Sequence, residues 1–510
     1  MSAAITHISR LWPLLDARVA RTPNAPFVID GATGGSHSFA AVRGRAEALA
    51  AQLFVAGVRP GDVVAWQLPT RLDTLVLSLA LARLDVIQNP VLHLYREREL
   101  TALLSQSRPR WLVVPGAEPA CDYPALAARV APEVGAQVLV LGDPLPDSHL
   151  GVLPAVPTAA RDHGWIYCTS GTTSMPKGVI HTDASLIAGG LALADAIDLH
   201  GGDLGAIAFP FAHIGGSMYL VMLLALGIPA LLLERFVPAE AAALMTTHGV
   251  TVAGGSTAHY QAFLDLQRQH PGTPVLPGVR MFVGGGASKP AQLYYAVLRE
   301  MGIPIIHSYG MTESAMVASN RAGDDDQALA HSDGRPVAGM EIRLVTGDGN
   351  PAAPGEEGEI QIRGTCLCRG YLDVSQTRAA FTADGYFRTG DLGRLDTRGY
   401  LSLTGRLKDI IIRKGENISA REIEELLLLH PAVAEAAVIG LPDASRGERV
   451  CAVVVPRGAA PDLGEFCDFL RGQGLIKQKL PEQLEVVACL PRSEALGKVA
   501  KQELRARFAG

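Results

Sequence analysis

A hydroxyl-rich segment at residues 167–178 has the composition of a phosphate-binding loop. A short apolar run leads into it and a helical pattern follows it. Within it, four hydroxyl side chains surround Gly171, and a lysine follows a proline. These candidate phosphate ligands are Thr169, Ser170, Gly171, Thr172, Thr173 and Lys177. Glycine lets backbone N–H groups approach a phosphate, hydroxyls donate to its oxygens, and an ammonium offsets its charge. Because the spacing is not that of the P-loop motif, the segment predicts a phosphate site on another fold.

A second group of candidate residues lies between positions 284 and 313. A Gly-Gly-Gly-Ala run at 284–287 follows an apolar strand pattern, and Ser-Tyr-Gly-Met-Thr-Glu occupies 308–313. A carboxylate is a hard ligand for Mg²⁺, which usually takes one or two protein carboxylates together with phosphate oxygens, so Glu313 is a candidate. In isolation, Thr312-Glu313 is more typical of the first turn of a helix, and three glycines are typical of a turn.

Charged residues that could meet a ribose or a phosphate recur after position 385. Asp391 ends the run Tyr-Phe-Arg-Thr-Gly-Asp, and one carboxylate can accept hydrogen bonds from two hydroxyls, although this run also suits a hairpin turn. Gly-Arg-Leu-Lys-Asp at 405–409 has the pattern of a solvated charged linker. The chain has 37 arginines and only 8 lysines, so Lys498 near its end is notable. An ammonium is a compact point charge that a guanidinium cannot imitate at a crowded phosphate.

Taken in order, these segments resemble the motifs of the adenylate-forming superfamily, which includes acyl-CoA synthetases, aryl-CoA ligases, peptide-synthetase adenylation domains and luciferases. The resemblance covers six motifs between residues 167 and 501 and thus essentially the whole chain. Two departures stand out. Ser174 stands where the family usually has glycine, and five residues, where four are usual, separate Pro491 from Gly497.

The resemblance implies an ATP site and assigns a role to several of its residues. It places Tyr309 on the adenine, Thr312 at the α-phosphate, and Glu313 on Mg²⁺. The implied ATP-binding residues are Thr169, Ser170, Gly171, Thr172, Thr173, Lys177, Gly285, Gly286, Ala287, Ser308, Tyr309, Gly310, Met311, Asp391 and Arg406. Lys408 is the implied pivot of a mobile C-terminal domain. Lys498 is the implied catalytic lysine, which would bridge the acid and the α-phosphate and stabilise developing charge.

The implied reaction joins a carboxylate to AMP, releases pyrophosphate, and then passes the acyl group to a thiol. The segment 209–217 reads as the acyl pocket, with His213, Ile214 and Gly215, together with Gly286. His213 is a catalytic candidate at the pocket mouth or, alternatively, a core histidine bonded to a backbone carbonyl. No carboxylate occurs from 204 to 233, and a buried ammonium without a counter-ion costs several kcal/mol, so amino acids are disfavoured.

The expected substrates are therefore ATP with Mg²⁺, CoA, and an apolar acid of short to medium length or with an alicyclic ring. Loading of a carrier protein, or amide formation in a biosynthetic pathway, is the enzymatic alternative. A non-catalytic nucleotide-binding regulator is disfavoured because Lys498, Glu313 and Asp391 are all present.

Apolar runs that alternate with amphipathic stretches predict an α/β fold with stacked sheets. We expect an N-terminal domain at 1–404 with a β-rich subdomain at about 335–404, a hinge at 405–409, and an α+β C-terminal domain at 410–510. In the last domain, Ser419-Ala-Arg-Glu422 is a capping-box sequence and His430-Pro431 should end the helix.

Composition excludes several classes of protein. Hydrophobic residues make up 48%, aromatic residues 5%, and the net charge is -6, which argues against disorder and against nucleic-acid binding. Seven scattered cysteines without metal-binding spacing indicate reduced thiols and a cytoplasmic protein. The apolar run at 218–233 is 16 residues long and interrupted by Gly227 and Pro229, so we expect a buried helix, a turn and a strand in place of a membrane span. The sequence leaves the oligomeric state open.

Overall fold

The computed structural model describes residues 8–142, 153–156, 163–169, 176–413, 416–443, 445–492 and 499–509. The helices are α1 Leu11–Arg21, α2 Phe39–Val55, α3 Leu72–Arg83, α4 Glu97–Ser107, α5 Tyr123–Val134, α6 Asp183–Ala196, α7 Ile214–Leu226, α8 Pro238–His248, α9 Thr257–Gln269, α10 Ala291–Met301, α11 Asp326–His331, α12 Val374–Ala380, α13 Ala420–Leu427, α14 Leu463–Gly472 and α15 Lys501–Phe508. Short 3₁₀ turns occupy Leu407–Asp409 and Lys477–Lys479.

The strands are β1 Pro26–Asp30, β2 Ser36–Ser38, β3 Val63–Trp66, β4 Ile87–Pro90, β5 Trp111–Val114, β6 Ala117–Glu118, β7 Cys121–Asp122, β8 Gln137–Val140, β9 Trp165–Thr169, β10 Lys177–His181, β11 Gly205–Ile207, β12 Ala230–Leu232, β13 Val252–Gly255, β14 Met281–Gly285, β15 Ile305–Met311, β16 Ser314–Ser319, β17 Arg335–Pro336, β18 Met340–Val345, β19 Glu357–Gly364, β20 Gly370–Tyr371, β21 Phe387–Leu395, β22 Leu401–Arg406, β23 Ile410–Arg413, β24 Glu416–Ser419, β25 Val433–Asp443, β26 Gly447–Pro456 and β27 Gln483–Val486.

The described residues form two compact units. The first comprises those within 1–171, 175–341 and 363–385, and the second those within 342–362 and 386–510. This division places most of the β-rich segment in one unit with the C-terminal residues, whereas residues 363–385 of that segment belong to the first unit. The hinge at 405–409 stays a prediction.

The first unit contains two large sheets and a two-stranded ribbon, β6–β7. The nine-stranded sheet has the order β17-β16-β15-β14-β13-β11-β12-β1-β2, and the seven-stranded sheet has the order β20-β10-β9-β4-β3-β5-β8. Neighbours from β15 through β1 run parallel, as do those from β9 through β8. Central strands such as β5 are buried at every residue, which is typical of a parallel sheet covered on both faces.

The run at 218–233 folds as its composition predicts. It forms most of α7, a turn at Gly227 with a left-handed φ of 73°, and then β12. Nearly every residue of α7 is buried, so its apolar surface packs inside the unit. In the described residues, no helix combines the length and the hydropathy that crossing a membrane requires.

The second unit contains a four-stranded sheet in the order β18-β19-β21-β22 and a five-stranded sheet built on β24-β23-β26-β25 with β27 beside β26. Helix α13 begins where the capping-box sequence predicts: Ser419 is its N-cap and its Oγ accepts from the N–H of Glu422 at 3.4 Å. Helix α13 ends before His430-Pro431. The face of α13 packs into an apolar core with Ile411, Val438 and Phe466.

Candidate active site

Glycines line the carboxyl ends of three neighbouring parallel strands. Gly255 of β13 pairs with Gly284 of β14, and Gly285 pairs with Ser308 of β15. A Cβ on Gly284 would lie 1.8 Å from the carbonyl oxygen of Gly255, and one on Gly285 would lie 2.0 Å from that of Ser308. The backbones therefore approach so closely that only glycine fits, and the 284–287 loop runs directly beside the Ser308-Tyr309 segment.

The Thr312-Glu313 pair forms the turn of a β-hairpin. Strands β15 and β16 pair antiparallel, and Met311 stands opposite Ser314, so these two residues alone connect the strands. The alternative interpretation of this pair as a helix start is therefore wrong. Thr312 and Glu313 are partly exposed. Tyr309, which lies near the end of β15, is only 7% exposed.

Three groups, from two parts of the first unit that are distant in sequence, hold this turn. The Nε2 of His181 lies 2.8 Å from the carbonyl oxygen of Thr312, and the backbone N–H of Cys368 donates to the carbonyl oxygen of Glu313 at 2.8 Å. The hydroxyl of Tyr371 donates to Oε1 of Glu313 at 2.8 Å. Burial and the Glu313 charge raise the pKa of Tyr371 far above its ordinary value, so the phenol remains a donor at any physiological pH.

His181 is fully buried and neutral. Burial lowers its pKa to about 4, and the hydrogen bond to the carbonyl of Thr312 opposes that shift only in part. Because Nε2 faces a carbonyl oxygen, it must carry the proton, and Nδ1 then accepts from the hydroxyl of Ser185 at 2.9 Å. The imidazole thus ties the N-terminal turn of α6 to the hairpin turn.

Lys177 begins β10 and reaches the same neighbourhood. Its backbone pairs with that of Thr169 at the end of β9, and its Nζ lies 4.9 Å from the ring centroid of Tyr371. The two ends of the hydroxyl-rich segment are therefore adjacent strands. The intervening candidates, Ser170, Gly171, Thr172 and Thr173, and also Ser174, lie outside the described residues.

Three of the four candidate acyl-pocket residues lie at the start of α7, and the fourth, Gly286, directly follows β14. His213 is the N-cap, where its Nδ1 accepts from the N–H of Gly215 at 3.2 Å, and its side chain is partly exposed, so it is a capping residue and not a core histidine. Ile214 is buried. The hydroxyl of Tyr219, further along α7, packs against Gly254 of β13. A Cβ on Gly254 would lie only 2.4 Å from that hydroxyl oxygen. Helix α7 thus contacts β13, which pairs with β14, the strand that leads into the implied ATP-binding residues Gly285, Gly286 and Ala287.

The second unit brings two other candidates together. Asp391 of β21 pairs directly with Arg406 of β22, and the Nε of Arg406 lies 2.9 Å from Oδ1 of Asp391. Asp391 is nearly fully buried in the middle of a strand, so the alternative interpretation as a hairpin turn is wrong. Lys408 follows in the 3₁₀ turn. Lys498 lies outside the described residues.

Glu313 fits the role of a magnesium ligand. Tyr371 occupies one of its carboxylate oxygens, and no described residue donates to the other. Across the described ranges, no cluster of three or more histidine, cysteine, aspartate or glutamate residues could hold a metal alone. One available carboxylate oxygen is the donor set expected for Mg²⁺ that takes its remaining ligands from phosphates and water.

The sequence did not reveal the residues that support the turn. Tyr371 and Cys368 lie more than 50 positions beyond Glu313, and His181 reads as one more histidine after an apolar strand. One feature of the sequence could have pointed to His181 as a residue of the site: it lies four residues after Lys177, at the other end of the same strand.

Comparison with known proteins agrees with this geometry. Residues 15–372 match the model of the AMP-binding enzyme family, and residues 422–498 match that of the AMP-binding enzyme C-terminal domain. The chain is 31% identical to the medium-chain fatty-acid–CoA ligase of Escherichia coli K12, over 95% of this chain and 88% of that protein. It is also 31% identical to the salicyl-AMP ligase / salicyl-S-ArCP synthetase of Mycobacterium tuberculosis, over 96% and 89%.

The structural comparison gives the same answer. O-succinylbenzoate CoA synthetase from Bacillus subtilis, solved in complex with ATP and magnesium ion, superposes with a TM-score of 0.84 at 27% identity, covering 96% of this chain and 98% of that one. The expected fold class, a large α/β N-terminal part with a smaller α+β C-terminal part, is confirmed. The chain therefore belongs to the AMP-binding enzyme family, the adenylate-forming ligases that include acyl-CoA synthetases and acid–AMP ligases.

Proposed function

We propose that this enzyme activates an apolar carboxylic acid, of short to medium chain length or with an alicyclic ring, and transfers the acyl group to CoA. The single observation that carries the adenylation step is the Thr312-Glu313 turn. Three contacts from two separate segments fix it, while one carboxylate oxygen of Glu313 has no partner among the described residues.

In the first half-reaction, the acid's carboxylate attacks the α-phosphate of ATP and pyrophosphate leaves. We assign Lys177 and the hydroxyl-rich segment to the phosphates, Thr312 to the α-phosphate, and Tyr309 with the 284–287 loop to the adenine. Glu313 would hold Mg²⁺, which neutralises phosphate charge when it is bound. The Thr312-Glu313 turn is partly exposed and lies beside closely packed strand ends, so its side chains have little freedom to reorganise. Such a turn would hold the α-phosphate and the metal ion in fixed positions relative to the acid.

The remaining roles belong to the second unit. Asp391 would accept hydrogen bonds from the ribose hydroxyls, and its ion pair with Arg406 orients the carboxylate for that task. Lys498 would stabilise charge at the α-phosphate during adenylation. Rotation about Lys408 would then remove Lys498 and admit the thiol, because the group needed for the first step obstructs the second.

The choice of acid rests on the surroundings of α7. Its first turn carries a buried isoleucine, and no carboxylate lies between 204 and 233 to pair with a substrate ammonium. A Cβ on Gly215 would meet Phe209 and His213 at an ordinary contact distance of 3.5 Å, so the glycine leaves space for a small group beside the Phe209 ring. The fatty-acid specificity in the name of the Escherichia coli relative is consistent with such an acid.

Loading of a carrier protein is the second candidate for the thiol step. It is favoured by one observation: the Mycobacterium tuberculosis relative is named as both an AMP ligase and a synthetase of a carrier-bound product. Either acceptor uses the same first half-reaction, so the two candidates differ only in what receives the acyl group.

The test is a panel of C4–C12, alicyclic and aromatic acids, scored for pyrophosphate release with and without CoA. We expect apolar acids to give both pyrophosphate and CoA thioester. Release of pyrophosphate with no thioester product would support the carrier-loading alternative, and release with amino acids alone would contradict the acid assignment.

The two lysines separate the half-reactions. Lys498→Ala should abolish acid adenylation and leave thioester formation from supplied acyl-AMP largely intact. Lys408→Pro should give the reverse pattern, because proline fixes φ at the pivot. Equal loss of both half-reactions in Lys498→Ala, or normal overall turnover in Lys408→Pro, would contradict these roles.

A further inference from the structure

We infer that Tyr371 is a positioning residue that holds the Glu313 carboxylate ready for the magnesium–nucleotide complex and connects it to Lys177. The inference rests on the proposed function and adds a residue to it. Tyr371 reaches the turn from a strand of the other large sheet of the first unit.

The contact with Glu313 is direct. The Tyr371 hydroxyl donates to Oε1 of Glu313 at 2.8 Å, within the range of a charge-assisted hydrogen bond. The tyrosine is only 6% exposed, so water competes poorly for this donor. A carboxylate fixed through one oxygen presents its other oxygen in a defined direction, and such supporting hydrogen bonds tune metal affinity.

The backbone of Tyr371 is itself firmly held. It pairs with Val179 of β10, its N–H donates to Oγ1 of Thr377 at 2.8 Å, and the following residue donates to Gly178. These contacts come from two elements, β10 and α12. The phenol therefore occupies one position, and the hydrogen bond to Glu313 costs little further conformational entropy.

The same short segment also holds the main chain of Glu313. The N–H of Cys368 donates to the Glu313 carbonyl at 2.8 Å, and Leu367 forms an isolated bridge with Ser314. Glu313 is thus held at its backbone and at its side chain by residues 367–371. The backbone bonds from Cys368 and Leu367 already fix the hairpin. A tyrosine with a purely structural role would therefore not require the hydrogen bond to the Glu313 carboxylate.

Lys177 completes the connection. Its ammonium lies 4.9 Å from the centroid of the Tyr371 ring, within the range of a cation–π contact. One aromatic ring therefore contacts the lysine at the end of the phosphate-binding segment and, through its hydroxyl, the carboxylate proposed for Mg²⁺. Removing the hydroxyl alone should weaken Mg²⁺ binding at Glu313 and leave the contact between the ring and Lys177 intact.

The chain supplies a matched control. Tyr294 also donates its hydroxyl to a carboxylate, Oδ1 of Asp326 at 2.7 Å, but both residues lie on helices outside the candidate site. Tyr294→Phe and Tyr371→Phe therefore delete the same kind of hydrogen bond. Both variants keep the ring, so the packing around it should persist.

The experiment is calorimetric titration of ATP into the full-length enzyme without any acid, first in EDTA and then at increasing Mg²⁺. We expect Tyr371→Phe to need about tenfold more Mg²⁺ for the same gain in ATP affinity, in line with the effect of removing a hydrogen bond to a ligating carboxylate. Its affinity in EDTA should stay within about twofold of the wild type, and Tyr294→Phe should match the wild type throughout. Adding Tyr371→Phe to Glu313→Gln should cause no further change.

Two results would overturn the inference: a Tyr371→Phe titration that coincides with that of Tyr294→Phe, or an equal loss of affinity in EDTA and in Mg²⁺. Failure of the proposed function itself has a different signature, since wild-type enzyme would then show no Mg²⁺-dependent ATP binding at all.

Discussion

The hairpin turn at Thr312-Glu313 and the start of α7 lie in the same unit, but they are held in different ways. At the turn, strand backbones touch across Gly284 and Gly285, and three hydrogen bonds from other segments fix its position. At the start of α7, a capping bond from His213 organises the first turn. A Cβ on Gly215 would meet only ordinary van der Waals contacts, although one on Gly216 would lie 2.0 Å from the carbonyl oxygen of Phe211.

The difference fits the two ligands. The nucleotide is the same in every member of an adenylate-forming family, and the site that we propose for it is bounded by backbone approaches that tolerate no side chain. The acid varies, and the pocket that we propose for it includes Gly215, where a side chain would meet only ordinary contacts. We therefore expect substitutions at the strand ends to abolish activity and substitution of Gly215 to change its selectivity.

Gly285→Ala should have the largest effect. Its Cβ would lie 2.0 Å from the carbonyl oxygen of Ser308, which belongs to a central strand and cannot move freely. Overpacking of this kind costs about 3 kcal/mol, so we expect loss of nucleotide binding and a clearly lower unfolding midpoint. Calorimetric ATP binding and thermal unfolding measure both. An active, stable Gly285→Ala enzyme would show that the strands do not approach as described.

His181 should make the first unit sensitive to acid. Its pKa is about 4 in the folded protein and 6.5 when exposed, so as the pH falls from 6.5 to 4 the unfolded chain binds the proton first and stability decreases. The pKa difference corresponds to about 3 kcal/mol. Urea unfolding followed by tryptophan fluorescence reports this unit, because the four tryptophans, Trp12, Trp66, Trp111 and Trp165, all lie in it.

His181→Gln serves as the comparison for that titration. The variant should lose less stability than the wild type between pH 6.5 and pH 4, although it is less stable at neutral pH. Parallel pH profiles for the two proteins would contradict a buried neutral imidazole at this position.

Gly215→Ala should have the smallest effect on folding and a selective effect on catalysis. The new methyl group would meet Phe209 and His213 at 3.5 Å, an ordinary contact distance. Stability and ATP affinity should therefore change little. The ratio of kcat/KM for a short acid over a bulky alicyclic one should rise about tenfold, as expected for one methyl group in an apolar pocket. An unchanged ratio would remove this position from the acyl pocket.

Sequence patterns predicted the elements well where local chemistry decides them. Ser419 caps α13, and the run at 218–233 became a buried helix, a turn and a strand, because capping and apolar continuity act over a few residues. The hairpin conformations of Thr312-Glu313 and the strand position of Asp391 were not decided locally, since both sequences also suit other turns. In both segments, pairing with the neighbouring strands determined the conformation.

The supporting residues of the site could not be predicted for a related reason. Tyr371 meets Glu313 only because β20 joins the edge of the seven-stranded sheet beside β10, and no periodicity in the sequence records that pairing. The buried imidazole of His181 depends in the same way on packing between a strand, a helix and the hairpin turn.

The most direct test of the central claim is the exchange of labelled pyrophosphate into ATP by the wild-type enzyme and by Glu313→Gln. We predict exchange that requires both Mg²⁺ and an apolar acid, and a loss of at least about tenfold in the variant that excess Mg²⁺ restores only in part. Absence of exchange with every acid offered, or equal exchange by the two proteins, would contradict adenylate formation at this turn.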